Sequence, residues 1–119
     1  MTTLARELAE RLEQDGFSAA VINPRFVKPI DRDTISHYAH SVAAFVTFED
    51  HVKMGGFGSA VLEVLQEIGS SVPVVRIGWP DHFIEHGKQD ALRAKYGFTP
   101  DAALEKLRPY LRLRQAQPA

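Results

Sequence analysis

The stretch that decides the fold is AAFVTFEDHVKMGGFGSAVLEVLQEIGSSVPVVRIG, residues 43–78. Its first segment, 43–48, is apolar and has the length of a strand, and so has its last segment, 72–78. The glycine-rich turn between them leads into a helix whose apolar residues recur at helical spacing, namely Ala60, Val61, Val64, Leu65 and Ile68. Strand, helix and strand in this order predict a parallel pair, and the continuously apolar second strand predicts a sheet that helices cover on both faces.

The segments before this unit predict a helix, a strand and a second helix. Residues 3–15 carry apolar residues on one face, and Gly16 follows where a residue of positive φ ends a helix. Residues 18–23 form a short apolar run that predicts a strand. Asp31 stands where the N-cap of the next helix is expected.

The segments after it predict two more helices. The first covers roughly residues 88–96, and the second begins at Thr99-Pro100, where a capping hydroxyl precedes proline at the first helical position. Pro109 is expected to end or kink this last helix. The pattern therefore predicts one α/β domain over residues 1–111, followed by a frayed tail at 112–119.

Composition excludes several classes of function. The 119 residues include 14 basic and 15 acidic side chains, for a formal charge of −1, which favours neither nucleic acid nor an anionic membrane as a partner. No cysteine is present, so disulfides, thiolate nucleophiles and cysteine-based zinc sites are excluded. No apolar run is long enough to cross a bilayer. These features predict a cytoplasmic protein.

Three segments carry a resemblance to a known family. NPRFVKPID (23–31), VTFEDHVKMGGFGSAVLEVL (46–65) and VPVVRIGWPDHFIEHG (72–87) are similar to the C-terminal domain of the 1-deoxy-D-xylulose-5-phosphate synthases, which are transketolase-like enzymes that depend on thiamine diphosphate. The resemblance implies a three-layer α/β/α sandwich with a mostly parallel sheet. It also implies a homodimer and contacts with the other domains of the same enzyme. Thiamine diphosphate and Mg²⁺ would be held by those other domains, and no cofactor by this chain.

The resemblance also implies strands that this sequence lacks. In the family, an edge strand and a central strand precede the first helix, and the central strand would lie between the segments 18–23 and 43–48. An empty central position would leave backbone groups unpaired on both sides. We therefore expect either that these two segments pair directly or that a second chain fills the position.

The resemblance implies no catalytic residue and no metal ligand in this chain. It implies a structural and interdomain role for a motif made of Arg25, Lys28, Pro29, Asp31, Glu49 and Asp50. Arg25 and Glu49 both follow strands at the same sheet edge, so we expect them to form an ion pair.

The turn MGGFGS has two interpretations. Its free N–H groups at a helix N-terminus could bind an anion, which would involve Gly55, Gly56, Gly58 and Ser59. Alternatively, the glycines let the backbone turn sharply and pack the helix closely.

The pattern H-x-x-E-H at His82, Glu85 and His86 is typical of one class of zinc peptidase. Such a site requires a helix that brings both imidazoles to one metal. Pro80 and Gly87 flank the pattern closely and do not favour a helix. The pattern is therefore interpreted as a surface or interdomain loop, and the resemblance implies no metal in it.

Three functions remain open at the level of sequence. The motifs favour the third domain of a 1-deoxy-D-xylulose-5-phosphate synthase, with a structural role. A C-terminal piece of a split transketolase, or of a 2-oxoacid dehydrogenase β-type subunit, would carry looser versions of the same motifs. A small phosphate- or nucleotide-binding α/β module is the alternative from another class.

Overall fold

The fold is built around the parallel strand pair that the central stretch predicts. The structure is a computed structural model, and it describes residues 1–24 and 30–116, with side chains up to Leu111. Its elements are α1 (Thr2–Gln14), α2 (Arg32–Ala39), β1 (Phe45–Val52), α3 (Phe57–Glu67), β2 (Val74–Trp79), α4 (Gln89–Lys95) and α5 (Pro100–Ala116). Strands β1 and β2 pair in parallel, in a register that places Phe45 beside Val74 and Phe48 beside Ile77.

Helices cover both faces of this sheet, which confirms the three-layer α/β/α arrangement. On one face, Val75 and Ile77 of β2 join a buried cluster with α1 and α5, completed by Leu8, Leu12, Phe98, Ala103, Leu104 and Leu107. On the other face, Val74 packs against a cluster from α2 and α3, made of Ile35, Ala39, Val61, Val64 and Leu65. Because its alternate residues enter two different cores, β2 needs the continuous apolar sequence that it has.

The strand predicted at 18–23 is wrong, because these residues have no regular secondary structure. Direct pairing of this segment with the strand at 43–48 is therefore wrong as well, and the sheet of the described residues has two strands. Phe17 and Ala19 pack against the core, whereas Val21 and Ile22 are 39% and 47% exposed. A strand requires a hydrogen-bonded neighbour, and the apolar sequence alone does not supply one.

Two helix ends bear on the predictions. Gly16 follows α1 with φ of 87°, a conformation that side-chain-bearing residues rarely adopt, and it ends the helix as expected. Helix α5 continues through Pro109 to Ala116, while the domain bounds 1–111 stay a prediction. Proline removes only one backbone hydrogen bond there, while Leu104 and Leu107 hold the helix in the core.

Candidate functional site

The carboxyl ends of β1 and β2 place most of the chemistry of the chain at one edge of the sheet, as parallel strands do. Strand β1 carries Glu49 and Asp50 near its end, before His51 and Val52, and strand β2 ends with Gly78 and Trp79. A bulge between Phe48 and Val52 interrupts the register at this point. The two strand ends approach so closely that a Cβ on Gly78 would lie 3.1 Å from Cγ of Glu49.

Glu49 is the buried acid of this edge, since its side chain is only 2% exposed. Its two carboxylate oxygens accept hydrogen bonds from the first N–H groups of α3, at 2.8 Å from Phe57 and at 2.9 Å from Gly58. The N-cap residue of α3 is Gly56, which has no side chain to cap the helix. Glu49 therefore takes the role of the missing cap from a neighbouring strand, where the positive end of the helix dipole favours a carboxylate.

His51 completes the surroundings of Glu49. Its Nδ1 lies 3.1 Å from Oε1 of Glu49 and 3.1 Å from the carbonyl oxygen of Val52. Both neighbours are acceptors, so Nδ1 carries the proton and donates. The ring is half exposed, and it covers the buried carboxylate on the solvent side.

The glycine turn uses its N–H groups within the chain. Gly55 donates to Oγ of Ser59, and Gly56 donates to the carbonyl oxygen of Lys53. The next two N–H groups belong to the contacts with Glu49. Glu49 thus supplies the anion that the turn favours, and binding of a separate anion here stays a prediction that requires displacement of this carboxylate.

Asp50 connects β1 to the following strand and helix. One oxygen accepts a 2.9 Å hydrogen bond from Nε1 of Trp79, and the other accepts a 2.9 Å bond from Arg93 of α4. The Trp79 hydrogen bond, with the Arg93 guanidinium beside it, holds the pKa of Asp50 below its ordinary value of 3.8. Sequence reasoning did not identify Arg93, because nothing in the pattern of α4 indicates which side chain faces the strand end.

Of the remaining motif residues, Asp31 is described and three are not. Asp31 caps α2, since its carboxylate accepts from the backbone N–H of Thr34 at 3.1 Å and from the hydroxyl of Thr34 at 2.7 Å. Arg25, Lys28 and Pro29 lie outside the described residues, so the ion pair expected between Arg25 and Glu49 stays a prediction.

The H-x-x-E-H segment contains no helix. Residues 80–88 form bends and irregular backbone, and His82, Glu85 and His86 are all exposed. Nδ1 of His82 contacts the carbonyl oxygen of Phe83 at 2.9 Å. Glu85 pairs with Lys95 and accepts a 2.8 Å hydrogen bond from the hydroxyl of Tyr96. Within the described ranges, no group of three or more histidine, cysteine, aspartate or glutamate residues could hold a metal ion.

These contacts predict a pH dependence for the loop. The Lys95 ammonium, followed by the backbone and the Tyr96 hydroxyl, lowers the pKa of Glu85 from 4.5 to about 2. Because the folded-state pKa is the lower one, the contribution of Glu85 to stability is present above pH 4.5 and is lost as the pH falls towards about 2. We expect a carboxyl-carbon NMR titration to show Glu85 ionised at about pH 3.

The matched variant for this titration is Lys95→Met, which removes the ammonium that lowers the pKa of Glu85 most. In that variant the Glu85 titration should move back towards the ordinary range of a glutamate. An unchanged midpoint would show that the ion pair does not hold the loop to α4.

The family model described as Transketolase, C-terminal domain, matches residues 1–102. The 1-deoxy-D-xylulose-5-phosphate synthase of Acidobacterium capsulatum is 63% identical over 108 residues, which are 91% of this chain and 17% of the relative. The synthase of Methylacidiphilum infernorum is 59% identical over 106 residues, again with 17% of the relative covered. This chain thus spans about a sixth of the length of these relatives.

A solved structure described as "Split gene transketolase, inactive beta4 tetramer" has the same fold. It superposes with a TM-score of 0.84 at 40% identity, and the match covers 94% of this chain and 36% of that chain. Among the described residues, none of the helices has the length and apolar character needed to cross a membrane. The match along most of the sequence and the shared fold confirm the resemblance carried by the three motifs, and the chain belongs to the family of transketolase C-terminal domains.

Proposed function

We propose that this chain acts as the C-terminal domain of a 1-deoxy-D-xylulose-5-phosphate synthase. That enzyme condenses pyruvate with glyceraldehyde 3-phosphate and releases carbon dioxide, in the supply of precursors for isoprenoids, thiamine and pyridoxal. The observation that carries the proposal is the identity of 63% and 59% to two synthases over nearly the whole chain. We also place the protein in the cytoplasm, since its lack of cysteine is compatible with a reducing compartment.

The role of the domain within the enzyme is structural in this proposal. Three acidic groups at the sheet edge are committed to internal partners: Glu49 to the helix N-terminus, Asp50 to Trp79 and Arg93, and Glu85 to Lys95 and Tyr96. A general base or a metal ligand would need a carboxylate that can leave such partners. Thiamine diphosphate and Mg²⁺ would accordingly be held by the other domains of the enzyme.

The carboxyl edge of the sheet is the surface that we assign to contact with those domains. Apolar side chains are exposed there at the end of β1 and after both strands: Val52 at 36%, Met54 at 73% and Phe83 fully exposed. Large apolar groups that remain in water on an isolated domain are typical of an interface. Arg25, Lys28, Pro29 and Asp31 would belong to the same interdomain motif, together with Glu49 and Asp50.

A second chain is the other partner in this proposal. Val21 and Ile22 are exposed, and in the described residues the sheet ends at β1 on one side. A strand from another copy or another domain, placed along β1, would pair the backbone groups of this edge. A light-scattering mass of 13.3 kDa at high protein concentration, that of the single chain, would contradict assembly of the isolated chain.

The proposal predicts that this chain can replace the matching domain of a relative. In a chimera, the C-terminal part of the Acidobacterium capsulatum synthase is exchanged for this chain along the matched 108 residues. We expect the chimera, with thiamine diphosphate and Mg²⁺, to form 1-deoxy-D-xylulose 5-phosphate from pyruvate and glyceraldehyde 3-phosphate. The isolated chain should form none.

The control is a chimera that carries Glu85→Gln, a residue outside the catalytic machinery of this proposal, which should keep its activity. A folded chimera of correct subunit mass without activity would contradict the assignment to the synthase. Formation of the product by the isolated chain would contradict the structural role.

The second candidate is the C-terminal piece of a split transketolase, and the solved structure at 40% identity favours it. The two candidates differ in the substrates of the assembled enzyme. If this chain, mixed with the other piece of a split transketolase, restores the transfer of two-carbon units between sugar phosphates while the synthase chimera stays inactive, the split transketolase is favoured.

A further inference from the structure

A cleft of about 370 Å³ lies between strand β2 and helix α5, next to the N-terminus of α3 that Glu49 caps. Its lining residues are Lys53, Val74, Val75, Arg76, Lys106 and Tyr110. The volume is at the lower end of the range of small-molecule sites. The cleft is open to solvent and has room for a small ligand.

The charged side chains that line this cleft, among those the structure describes, are all positive. Three of its lining residues, Lys53, Arg76 and Lys106, are cations, and none is a carboxylate. None of the ion pairs among the described side chains involves these three residues. The chain as a whole carries a charge of −1, so the positive charge of the cleft is a local excess and not a property of the whole surface.

Arg76 is held in place by neutral partners. Its Nη1 donates to Oγ of Ser59 at 3.2 Å, and the same hydroxyl donates to the carbonyl oxygen of Lys53. The stem of Arg76 passes over Gly58, where a Cβ would lie 2.8 Å from its Cδ. A guanidinium has five N–H donors, so this half-buried cation is fixed in position and keeps donors for a further acceptor.

The backbone of β2 adds N–H donors at the sheet edge that lines the cleft. The N–H of Phe45 donates to the carbonyl oxygen of Pro73, which fixes the side of β2 that faces β1. Because successive residues of a strand point their N–H and C=O groups to opposite sides, those of Val74 and Arg76 point to the outer edge. The described residues place no further strand along this edge.

We propose that this cleft binds a small phosphate-bearing anion, inorganic or organic. Arg76 would supply bidentate hydrogen bonds from its planar guanidinium, with Lys53 and Lys106 as neighbouring positive charges and the outer N–H groups of β2 as additional donors. An acidic peptide segment would also satisfy the charge, but three cations around one small cleft favour the concentrated charge of a phosphate group over the spaced single charges of a peptide. This site is separate from the proposed role in a synthase and does not depend on it.

The test is an NMR titration of the 119-residue chain with inorganic phosphate and pyrophosphate, at neutral pH and low ionic strength. We expect saturable shifts of the backbone amides of Val74, Arg76 and Lys53. In Lys106→Glu, an exposed position, the affinity should fall about tenfold, because a charge-assisted contact is replaced by repulsion. Lys53→Gln serves as a second variant, and amide dispersion shows that each variant is folded.

The control is Lys88→Glu, which makes the same change of charge at an exposed lysine outside the cleft. Its affinity for phosphate should stay unchanged. Equal weakening by Lys88→Glu and Lys106→Glu would show general charge attraction and overturn the site, as would the lack of saturable shifts. Shifts of the same amides by a glutamate-rich hexapeptide, without any by phosphate, would identify a docking groove for an acidic segment and also overturn the proposal.

Discussion

Replacing Glu49 by alanine is expected to lower the free energy of unfolding by about 2–4 kcal/mol, because it leaves the N–H groups of Phe57 and Gly58 without their acceptor. An unsatisfied buried donor costs about 1–3 kcal/mol, and two such donors are affected here. The side chain of Glu49 is 2% exposed, so water has little access to take its place. Urea unfolding followed by circular dichroism measures this loss as a change in the midpoint at constant slope.

Glu49→Gln removes the negative charge and one acceptor oxygen of the carboxylate but keeps the shape of the side chain. The amide keeps one acceptor oxygen but turns an NH₂ group towards the second helix N–H, so most of the loss should persist. Glu63→Ala, at an exposed position of the same helix α3, is the matched control and should change the free energy of unfolding by less than about 0.5 kcal/mol. Equal stability of Glu49→Ala and Glu63→Ala would contradict the capping role.

The central unit could be predicted from sequence because its information is local. The strand–helix–strand order over 43–78 is encoded in apolar periodicity and in a glycine turn, and each of these depends on neighbours in sequence. The segment 18–23 has the same apolar character, yet it has no regular structure. A strand is stabilised by a partner distant in sequence, and no pattern within six residues shows whether that partner is present.

The distinction between partners near and distant in sequence also explains which contacts of the site could be predicted. The cap at Asp31 could be predicted, since its acceptor and its donor at Thr34 are three residues apart. The cap of α3 could not be assigned to Glu49 from sequence. The carboxylate comes from strand β1 and reaches N–H groups eight and nine residues further on. One signal was available: Gly56 cannot cap the helix that it precedes, so the cap had to come from elsewhere.

The H-x-x-E-H pattern shows how a motif depends on its backbone. The spacing of His82 and His86 has meaning for a metal only on a helix, and the backbone at 80–88 is irregular. Pro80 and Gly87 predicted this outcome from sequence. The partners of Glu85 could not be predicted, because Lys95 and Tyr96 reach it from the far end of α4.

Gly56→Ala is expected to destabilise the domain by about 2–4 kcal/mol, because it disturbs the contact of Glu49 with the N-terminus of α3. The φ of −89° at Gly56 suits any residue, so the cost comes from space and not from backbone strain. A Cβ at this position would lie 1.9 Å from Oε1 of Glu49 and 2.8 Å from the carbonyl oxygen of Val52. Glu49 would have to withdraw from the N–H groups that it caps. The unfolding midpoint in urea, compared with that of the unmodified chain, measures the effect.

The control is Gly87→Ala, where the nearest atom to a new Cβ is a flexible leucine side chain at 3.4 Å, so stability should hardly change. A double-mutant cycle tests the cause more directly. In the Glu49→Ala background, the closest clash of Gly56→Ala is removed in advance and the capping bonds are already lost. The second substitution should therefore cost less than it does alone. The double variant should lose less stability than the sum of the losses of the two single variants. Strict additivity would mean that Gly56 is required for the turn itself and not for the approach of Glu49 to helix α3.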